Sequence, residues 1–311
     1  MAKILITGGA GYIGAVLTPS LLKEGHEITV IDNFMFNQPS LLDCVNNKKL
    51  TVIRGDARDE NIIKKHIKDV EYIFPMAAIV GAPLCDRHPH DATTTNLDGV
   101  KTILKLRDKS QKIIYPTTNS GYGIGEEGVY CDETTPLRPI SLYGRTKVEA
   151  EKALLESGNV ITLRLATVFG VSPRMRLDLL VNDFTYRAVY DQFLVLFESH
   201  FKRNYIHVRD ITKAFVHVMK NFETMKNEPY NVGLSDANLS KWELCEKIKE
   251  QVPGFIFVES KVGEDPDKRN YIVSNEKIEK TGFKPDMSLE EGIAELVKGY
   301  QIIKRTEFSN T

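Results

Sequence analysis

The feature that most restricts the fold of this chain is a glycine-rich turn directly after the first predicted strand. Gly8, Gly9, Gly11 and Gly14 follow the apolar run Lys3–Thr7 and open a predicted helix. Glycine allows positive φ and lets the backbone come close to a pyrophosphate, which the N-terminus of a helix attracts. The spacing fits both GxGxxG and GxxGxxG and predicts a dinucleotide-binding turn. A purely structural strand–helix turn is the alternative.

An acidic residue at the end of the second predicted strand specifies the dinucleotide. Asp32 lies 18 residues after Gly14, where a carboxylate can hold the adenosine ribose hydroxyls. Because a carboxylate repels the 2′-phosphate of NADP, the sequence predicts NAD as the cofactor. Asp56, after the third predicted strand, is expected at the adenine edge, with a plain turn aspartate as the alternative.

Short β-branched runs alternate with helical patterns through the first half of the chain. Strands alternating with helices predict an α/β fold with a doubly wound, parallel Rossmann sheet. We assign residues 1–170 to an NAD-binding Rossmann domain, with a returning segment at about 203–222, and residues 171–311 mainly to a smaller C-terminal α/β substrate lobe. The predicted strands are Lys3–Thr7, Glu27–Ile31, Leu50–Arg54, Glu71–Phe74, Lys112–Thr117 and Val160–Ala166.

Charge and cysteine content exclude several classes of protein. The chain has 41 Lys and Arg against 42 Asp and Glu, a net charge of −1, so no basic field would hold nucleic acid or anionic lipid. No apolar run approaches the ~20 residues that a membrane span needs, and the N-terminus lacks the apolar core of a signal peptide. We therefore expect a cytoplasmic protein without nucleic-acid or membrane partners. We also expect no metal site, because Cys44, Cys85, Cys131 and Cys245 form no CxxC pair and because His88 and His90 lack further ligands at suitable spacing.

A tyrosine and a lysine four residues apart are candidates for acid–base chemistry. Tyr143 and Lys147 begin a predicted helix and lie on the same face, one turn apart. A phenol must shift by ~3 pKa units to act as a base near neutral pH. An ammonium group and the positive nicotinamide ring both favour the phenolate, so Lys147 is expected to lower the pKa of Tyr143 and to hold the nicotinamide ribose. Alone, such a pair is more typical of a helix surface; the dinucleotide turn makes it a candidate site.

Taken together, these motifs resemble those of extended short-chain dehydrogenase/reductases of the nucleotide-sugar epimerase/dehydratase type. The similarity covers roughly residues 3–300. It implies a Rossmann domain that holds NAD, a smaller lobe that holds a nucleotide-diphosphate sugar, and a homodimer. The motifs are TGGAGYIG at 7–14, GDARD at 55–59, Ala77-Ala78, Asn96, YGRTK at 143–147, RNYIHVRD at 203–210 and YNVG at 230–233.

The resemblance also assigns roles. It implies that Thr118 hydrogen-bonds the sugar oxygen being oxidised, that Tyr143 removes its proton while hydride passes to nicotinamide, and that Asn96 ties the active-site strand and helix together. The cofactor residues predicted in this way are Gly8, Gly11, Tyr12, Ile13, Gly14, Asp32, Asn33, Asp56, Ala57, Ala77, Ala78, Asn96, Tyr143, Lys147 and Val168. The predicted substrate residues are Val80, Gly81, Thr118, Asn119, Ser120, Arg174, Arg176, Asn182, Arg203 and Arg269, with the arginines facing the diphosphate or ribose.

Two departures from the family narrow the expected reaction. Asn119 and Ser120 stand where 4,6-dehydratases typically carry Asp and Glu, so neither can act as a carboxylate acid or base. The segment after Arg164 lacks the asparagine with which many UDP-sugar and dTDP-sugar enzymes contact substrate, which counts against a standard UDP-galactose epimerase. The expectation that remains is oxidation of a nucleotide-diphosphate sugar at C4, by a C4-dehydrogenase or a 4-epimerase of surface-polysaccharide biosynthesis, with GDP-heptose a possible substrate. A 4,6-dehydratase and a catalytically silent NAD-binding sensor are the alternatives.

Overall fold

The computed structural model describes residues 1–263 and 268–303 of the chain. Its strands are β1 Lys3–Thr7, β2 Glu27–Asp32, β3 Leu50–Arg54, β4 Tyr72–Pro75, β5 Lys112–Thr118, β6 Tyr130–Cys131, β7 Val160–Leu165, β8 Thr167–Phe169, β9 Phe193–Leu196, β10 Lys202–His207, β11 Glu228–Val232, β12 Asn238–Ser240, β13 Ile256–Glu259 and β14 Ile272–Val273. Its α-helices are α1 Gly14–Lys23, α2 Glu60–His66, α3 Ala82–Arg87, α4 Pro89–Thr93, α5 Gly99–Leu106, α6 Leu142–Ser157, α7 Leu180–Tyr190, α8 Val208–Lys220, α9 Phe222–Met225, α10 Lys241–Gln251, α11 Glu276–Glu279 and α12 Leu289–Gly299.

The central sheet has seven parallel strands in the order β3-β2-β1-β4-β5-β7-β11. The strands on the two sides of the β1–β4 boundary are added in opposite directions, so the loops that follow β1 and β4 open a crevice at their carboxyl ends. The six strands predicted from the sequence all lie in this sheet. The seventh strand, β11, lies beyond the returning segment predicted at 203–222, so the chain re-enters the sheet as far as residue 232.

Helices cover both faces of the sheet, which confirms the predicted doubly wound α/β class. On one face α1 and α8 pack on the sheet through apolar residues such as Leu17 and Phe215, both fully buried. On the other face α2, α5 and α6 contribute Ile63, Ile103 and Leu154. Burial on both sides explains why these strands are continuously apolar rather than alternating.

The second lobe packs α7, α10 and α12 around its own apolar core. Two of these helices begin with a capping box, in which Ser240 with Glu243, and Ser288 with Glu291, satisfy the first amide groups. Short sheets complete the lobe: β8, β10 and β12 form one, and β9 pairs with β13. Tyr12, from the glycine-rich turn, belongs to this lobe's core, so the turn lies against both parts of the molecule. Within residues 1–263 and 268–303, the longest apolar helices fall short of what crossing a bilayer requires.

Candidate active site

The glycine-rich turn packs closely against the loop that follows β4. Gly8 has φ +72°, and a Cβ on it would come within 2.6 Å of the backbone nitrogen of Ala77. A Cβ on Gly14 would come within 2.5 Å of the Gly9 carbonyl oxygen. Only glycine fits these two positions, because one requires left-handed backbone and both lack room for a side chain. The turn thereby opens the helix α1 while leaving its backbone accessible to a ligand.

Asp32 closes the turn from the end of β2. Its Oδ2 accepts a hydrogen bond from the amide of Ala10 at 2.9 Å, and its Oδ1 accepts one from the amide of Phe34 at 2.8 Å. Asp56, at the end of β3, is held by the guanidinium of Arg58, with Nη2 2.7 Å from Oδ2. This ion pair lowers the pKa of Asp56. Both carboxylates therefore lie along one edge of the sheet, at the carboxyl ends of β2 and β3.

A single cavity of about 1290 Å³ runs from the glycine-rich turn to the Tyr143–Lys147 pair and into the second lobe. Most of the residues predicted for cofactor and substrate face it. They are Gly8, Gly11, Tyr12, Ile13, Gly14, Asp32, Asn33, Asp56, Ala57, Ala77, Ala78, Val80, Gly81, Thr118, Ser120, Tyr143, Lys147, Val168, Arg174, Arg176, Arg203 and Arg269.

Three predicted site residues lie behind the cavity wall instead. Asn96 accepts from the amide of Ile79 at 2.8 Å and donates to the hydroxyl of Thr146 at 3.3 Å, so it joins the loop after β4 to helix α6. Asn182 accepts from the amide of Gly170 at 3.0 Å and is fully buried. Asn119 is 1% exposed and its side chain points into the interior. Asn119 and Asn182, both predicted to contact substrate, therefore do not line the cavity.

Thr118, Tyr143 and Lys147 meet where β5 ends and α6 begins. The hydroxyl of Ser141 caps α6 by accepting from the amide of Gly144 at 3.1 Å, which fixes the first turn that carries Tyr143. Thr118 donates to the hydroxyl of Ser120 at 2.9 Å, and Thr118 and Tyr143 both line the cavity. Lys147 is 3% exposed, and its ammonium lies 3.9 Å from the centre of the Tyr115 ring, a cation–π contact.

Burial sets the proton affinities of this pair. It raises the pKa of Tyr143 to about 12, against the opposing effects of the Arg176 and Arg269 charges and of the nearby Thr118 hydroxyl. It lowers the pKa of Lys147 to about 7, against the stabilising charge of Glu151. Burial is therefore the largest effect on the pKa of Tyr143, and the cations that oppose it, Arg176 and Arg269, belong to the second lobe. The lowering of this pKa by Lys147 stays a prediction.

The four predicted arginines contribute positive charge to the same cavity. Arg176 pairs with Asp178 and is 7% exposed, and Arg174 lies 4.0 Å from the centre of the Phe36 ring. Arg203 is 4% exposed. Arg269 reaches the catalytic end, where it donates to the hydroxyl of Ser120.

Sequence reasoning missed the loop Phe34–Gln38, which also lines the cavity. Phe34 and Asn37 have φ of 54° and 51°, and the side-chain amide of Gln38 donates to the carbonyl of Met175 at 3.4 Å. Together with the Phe36–Arg174 contact, this bond joins the loop after β2 to the second lobe. The available signal was the apolar run Phe34-Met35-Phe36 directly after Asp32, in a segment predicted to be a loop.

The observed arrangement fits NAD. The turn offers a backbone cradle that a Cβ at Gly8 or Gly14 would fill, Asp32 stands at the end of β2 for a ribose, and the cavity continues without interruption to Tyr143 and Lys147. A dinucleotide bound at the turn would thus place its far end beside the acid–base pair.

Comparison with known proteins agrees with this geometry. A model of the NAD dependent epimerase/dehydratase family matches residues 4–233. The chain is 27% identical over 319 residues to a putative UDP-glucose 4-epimerase of Methanocaldococcus jannaschii, covering 97% of this chain and 100% of the relative. It is 26% identical over 313 residues to UDP-glucuronic acid decarboxylase 1 of Arabidopsis thaliana, covering 96% of this chain and 70% of the relative.

A solved structure shares the whole fold. The UDP-glucose 4-epimerase of Thermotoga maritima, crystallised with UDP-glucose, superposes with a TM-score of 0.82 at 26% identity and covers 96% of this chain and 98% of its own. The family match spans the sheet from β1 to β11 and confirms both the resemblance stated from the motifs and NAD as the cofactor. The chain belongs to the NAD-dependent epimerase/dehydratase family.

Proposed function

We propose that this protein oxidises a nucleotide-diphosphate sugar at C4, as a C4-dehydrogenase or a 4-epimerase. The observation that carries the proposal is the single cavity in which the glycine-rich turn, the Thr118–Tyr143–Lys147 group and the buried arginines meet. Guanidinium groups suit the forked oxygens of a diphosphate, and the acid–base group lies at the end of β5 beside the expected nicotinamide position.

The residues divide the chemistry between them. Tyr143 as phenolate takes the proton of the C4 hydroxyl while the hydrogen on C4 leaves with its electron pair, so that a C4 ketone forms. Thr118 donates a hydrogen bond to the oxygen that loses the proton, and Lys147 adds positive charge on the same helix face. When bound, NAD supplies the acceptor for the hydride.

Elimination of water across C5 and C6 has little support in the site. Such a step needs an acid near the sugar, yet Ser120 faces the cavity and Asn119 points away from it. Asp178 lines the cavity, but the Arg176 charge lowers its pKa and keeps it ionised. A 4,6-dehydratase is therefore disfavoured.

The named relatives act on UDP-sugars, whereas this chain lacks the asparagine after β7 with which many such enzymes contact substrate. We therefore keep the base and sugar open and include GDP-heptose, the substrate of a surface-polysaccharide pathway, beside UDP-sugars. A homodimer is proposed on the family resemblance.

A single-turnover assay tests the reaction. Excess enzyme and NAD are mixed with UDP-, dTDP-, CDP- and GDP-sugars, including UDP-glucuronic acid and GDP-heptose; absorbance at 340 nm reports NADH, and NMR identifies the products. Persistent NADH with a 4-keto sugar indicates a C4-dehydrogenase, and a new stereoisomer without lasting NADH indicates a 4-epimerase. A 4-keto-6-deoxy sugar, CO2 released from UDP-glucuronic acid as the main reaction, or NAD binding without any turnover would refute the proposal.

Tyr143→Phe provides the matched control. It removes one oxygen from the cavity wall and leaves the glycine-rich turn in place, so NAD should bind with unchanged affinity while turnover falls by about 10³-fold or more. Full activity of this variant would exclude Tyr143 as the base.

A further inference from the structure

Helix α6 carries a lysine on the face that packs against the central sheet. Its buried residues include Lys147, Ala150 and Leu154, of which the last two belong to the apolar cluster between helix and sheet. Tyr115, three residues before Thr118 on β5, lies in the same cluster and is 1% exposed. Lys147 lines the cavity and Tyr115 does not, so the tyrosine ring lies behind the wall that carries the ammonium.

The Lys147 ammonium lies over the face of the Tyr115 ring. Nζ is 3.9 Å from the ring centre, well inside the ~6 Å range of a cation–π interaction. Within residues 1–263 and 268–303, Lys147 forms no ion pair and its ammonium takes part in no hydrogen bond. The Tyr115 hydroxyl also lacks a hydrogen-bond partner among those residues. What Tyr115 offers the lysine is therefore its ring.

The carboxylate one turn further along α6 is bound to another cation. Glu151 Oε1 accepts from Arg164 Nε at 3.0 Å and from Nη2 at 2.7 Å. Both side chains of this pair are buried. In the part of the chain that the structure describes, Lys147 therefore has no carboxylate in contact that would compensate its charge.

An aromatic ring holds a cation in a way that a carboxylate does not. Burying an ammonium is costly unless a partner compensates for the loss of water. A carboxylate would compensate for it and cancel the positive charge at the same time. The negative face of a ring attracts the cation through its quadrupole but carries no net charge. An ammonium over a ring therefore stays in place and still acts with its full charge on neighbouring groups.

We propose that Tyr115 is a positioning residue: the face of its ring holds the Lys147 ammonium at the cavity wall and leaves the charge of the lysine available to Tyr143 and the bound cofactor. Tyr143 precedes Lys147 by one turn on the same helix, so this charge favours the phenolate from which the proposed C4 oxidation starts. The kinetic consequence of the inference rests on the proposed function. The position of the ammonium over the ring does not, and it can be measured without substrate.

The groups that surround Lys147 keep their charges when Tyr115 is replaced. Burial holds the pKa of the Tyr115 phenol well above its usual range, so this side chain is neutral at working pH. Tyr143 lies one turn before Lys147 and Glu151 one turn after it, and Arg164 reaches Glu151 from β7. Phenylalanine or leucine at position 115 changes none of these charges, so a change at Lys147 reports the ring.

The lysine Cε resonances report the contact directly. In NAD-saturated protein labelled with 13C at lysine Cε, the Lys147 signal is identified by its loss in Lys147→Met. Protons above the face of an aromatic ring are shielded, so the Lys147 ε protons should resonate upfield of those of the other lysines, in the unmodified protein and in Tyr115→Phe. In Tyr115→Leu the upfield shift should disappear. An unshifted Lys147 signal in the unmodified protein would refute the contact, whether or not Tyr115→Leu folds.

The proton affinity of Lys147 separates the effect of the ring from that of the hydroxyl. Burial lowers the pKa of Lys147 to about 7, and the ring opposes this fall because it stabilises the charged form. We expect the pKa to drop by about one further unit in Tyr115→Leu and to stay within ~0.3 of the unmodified value in Tyr115→Phe. Trifluorophenylalanine at position 115 keeps the shape of the ring but weakens its negative face, so the pKa should drop again. A pKa in Tyr115→Phe as low as in Tyr115→Leu, or a fluorinated ring that leaves the pKa unmoved, would overturn the proposal.

Phe215→Leu provides the matched control for damage to the core. Phe215 is a fully buried ring on the opposite face of the sheet from Tyr115, so its replacement loosens a core without touching Lys147. The upfield shift and the pKa of Lys147 should be unchanged in this variant. Changes as large as those in Tyr115→Leu would mean that lost packing moves the lysine, and would refute the inference.

Single-turnover rates measure the consequence for the reaction. If the pKa falls from about 7 to about 6, the charged fraction of Lys147 at pH 7 falls from about one half to about one tenth. Tyr115→Leu should then be about fivefold slower than the unmodified protein at pH 7 and less than about twofold slower at pH 6, with KM within about twofold. Tyr115→Phe should match the unmodified protein.

The kinetic and spectroscopic results fail in different ways. A rate deficit of Tyr115→Leu that is equal at both pH values would show structural damage and refute the argument from charge. If no sugar in the panel reacts, the proposed function fails, and an upfield-shifted Lys147 signal with a lower pKa in Tyr115→Leu still supports the inference.

Discussion

Replacing Glu151 with glutamine tests the buried ion pair that holds the catalytic helix on the sheet. Glu151 on α6 accepts from Arg164 on β7 through Oε1, at 3.0 Å from Nε and 2.7 Å from Nη2. The two side chains are 3% and 7% exposed. Arg164 also donates to the Tyr122 hydroxyl at 3.2 Å, so the pair connects α6 to the turn after Thr118.

The expected loss of stability follows from leaving the Arg164 charge buried. Removing one partner of a buried pair costs about 3–5 kcal/mol, and glutamine retains an acceptor at the same place, so we expect about 2–4 kcal/mol for Glu151→Gln. For a chain of this size ~1 kcal/mol corresponds to ~2 °C in the melting temperature, so the midpoint should fall by about 4–8 °C. Urea denaturation and thermal melting at pH 7 measure both quantities.

A double variant provides the control for this reasoning. Glu151→Met combined with Arg164→Met removes both charges and fills the same space, and such replacements are often neutral or stabilising. It should melt above Glu151→Gln. A Glu151→Gln loss below about 1 kcal/mol, or a double variant less stable than either single variant, would refute the view that the pair is fully desolvated.

Three further outcomes are expected. Gly8→Ala should destabilise the protein by about 2 kcal/mol or more in urea denaturation and weaken NAD binding, because of the positive φ and the 2.6 Å approach to Ala77. Unchanged NAD affinity would contradict the assignment of the glycine-rich turn as the NAD-binding site. Asp32→Ala should reduce the preference for NAD over NADP in calorimetric titration; tighter NADP binding by the unmodified protein would contradict the cofactor argument. The free energy of unfolding should rise between pH 7 and about 8.5. The pKa of Lys147 is lowered to about 7 in the folded protein, so in this range folded Lys147 has released a proton that the unfolded chain keeps. Melting temperatures measured across this pH range should show the rise in the unmodified protein and not in Lys147→Met.

The sequence was sufficient for six of the seven strands of the central sheet because their signals are local. Each predicted strand is a run rich in β-branched residues and bounded by turn residues. The glycine-rich turn predicts both the first strand–helix connection and the dinucleotide cofactor. Strand β11 was missed because Glu228–Val232 contains Pro229 and one short apolar stretch. It pairs with β7 at the sheet edge, and its Tyr230 and Val232 pack in the same apolar cluster as α8.

Those site residues that belong to a sequence motif with fixed spacing could be predicted. Thr118, Tyr143 and Lys147 follow from motif and spacing. The burial of Asn119 and Asn182 does not, because Asn119 turns inward directly after β5 and Asn182 lies on the buried face of α7. The location of Arg269 was also beyond sequence reasoning. It depends on the bridge between Ile124 and Asn270, which joins segments far apart in the chain.

Both parts of the molecule affect the proton affinity of the Tyr143 phenol, the proposed base. The Rossmann domain supplies Tyr143 and Lys147 but buries them, which raises the pKa of the phenol to about 12 and lowers that of the ammonium to about 7. Both shifts oppose a phenolate–ammonium pair at neutral pH. The cations that act against the first shift, Arg176 and Arg269, come from segments after residue 170. The proton affinity of the Tyr143 phenol is therefore a property of the assembled cavity, in which the second lobe contributes charge to the reacting centre as well as a surface for substrate.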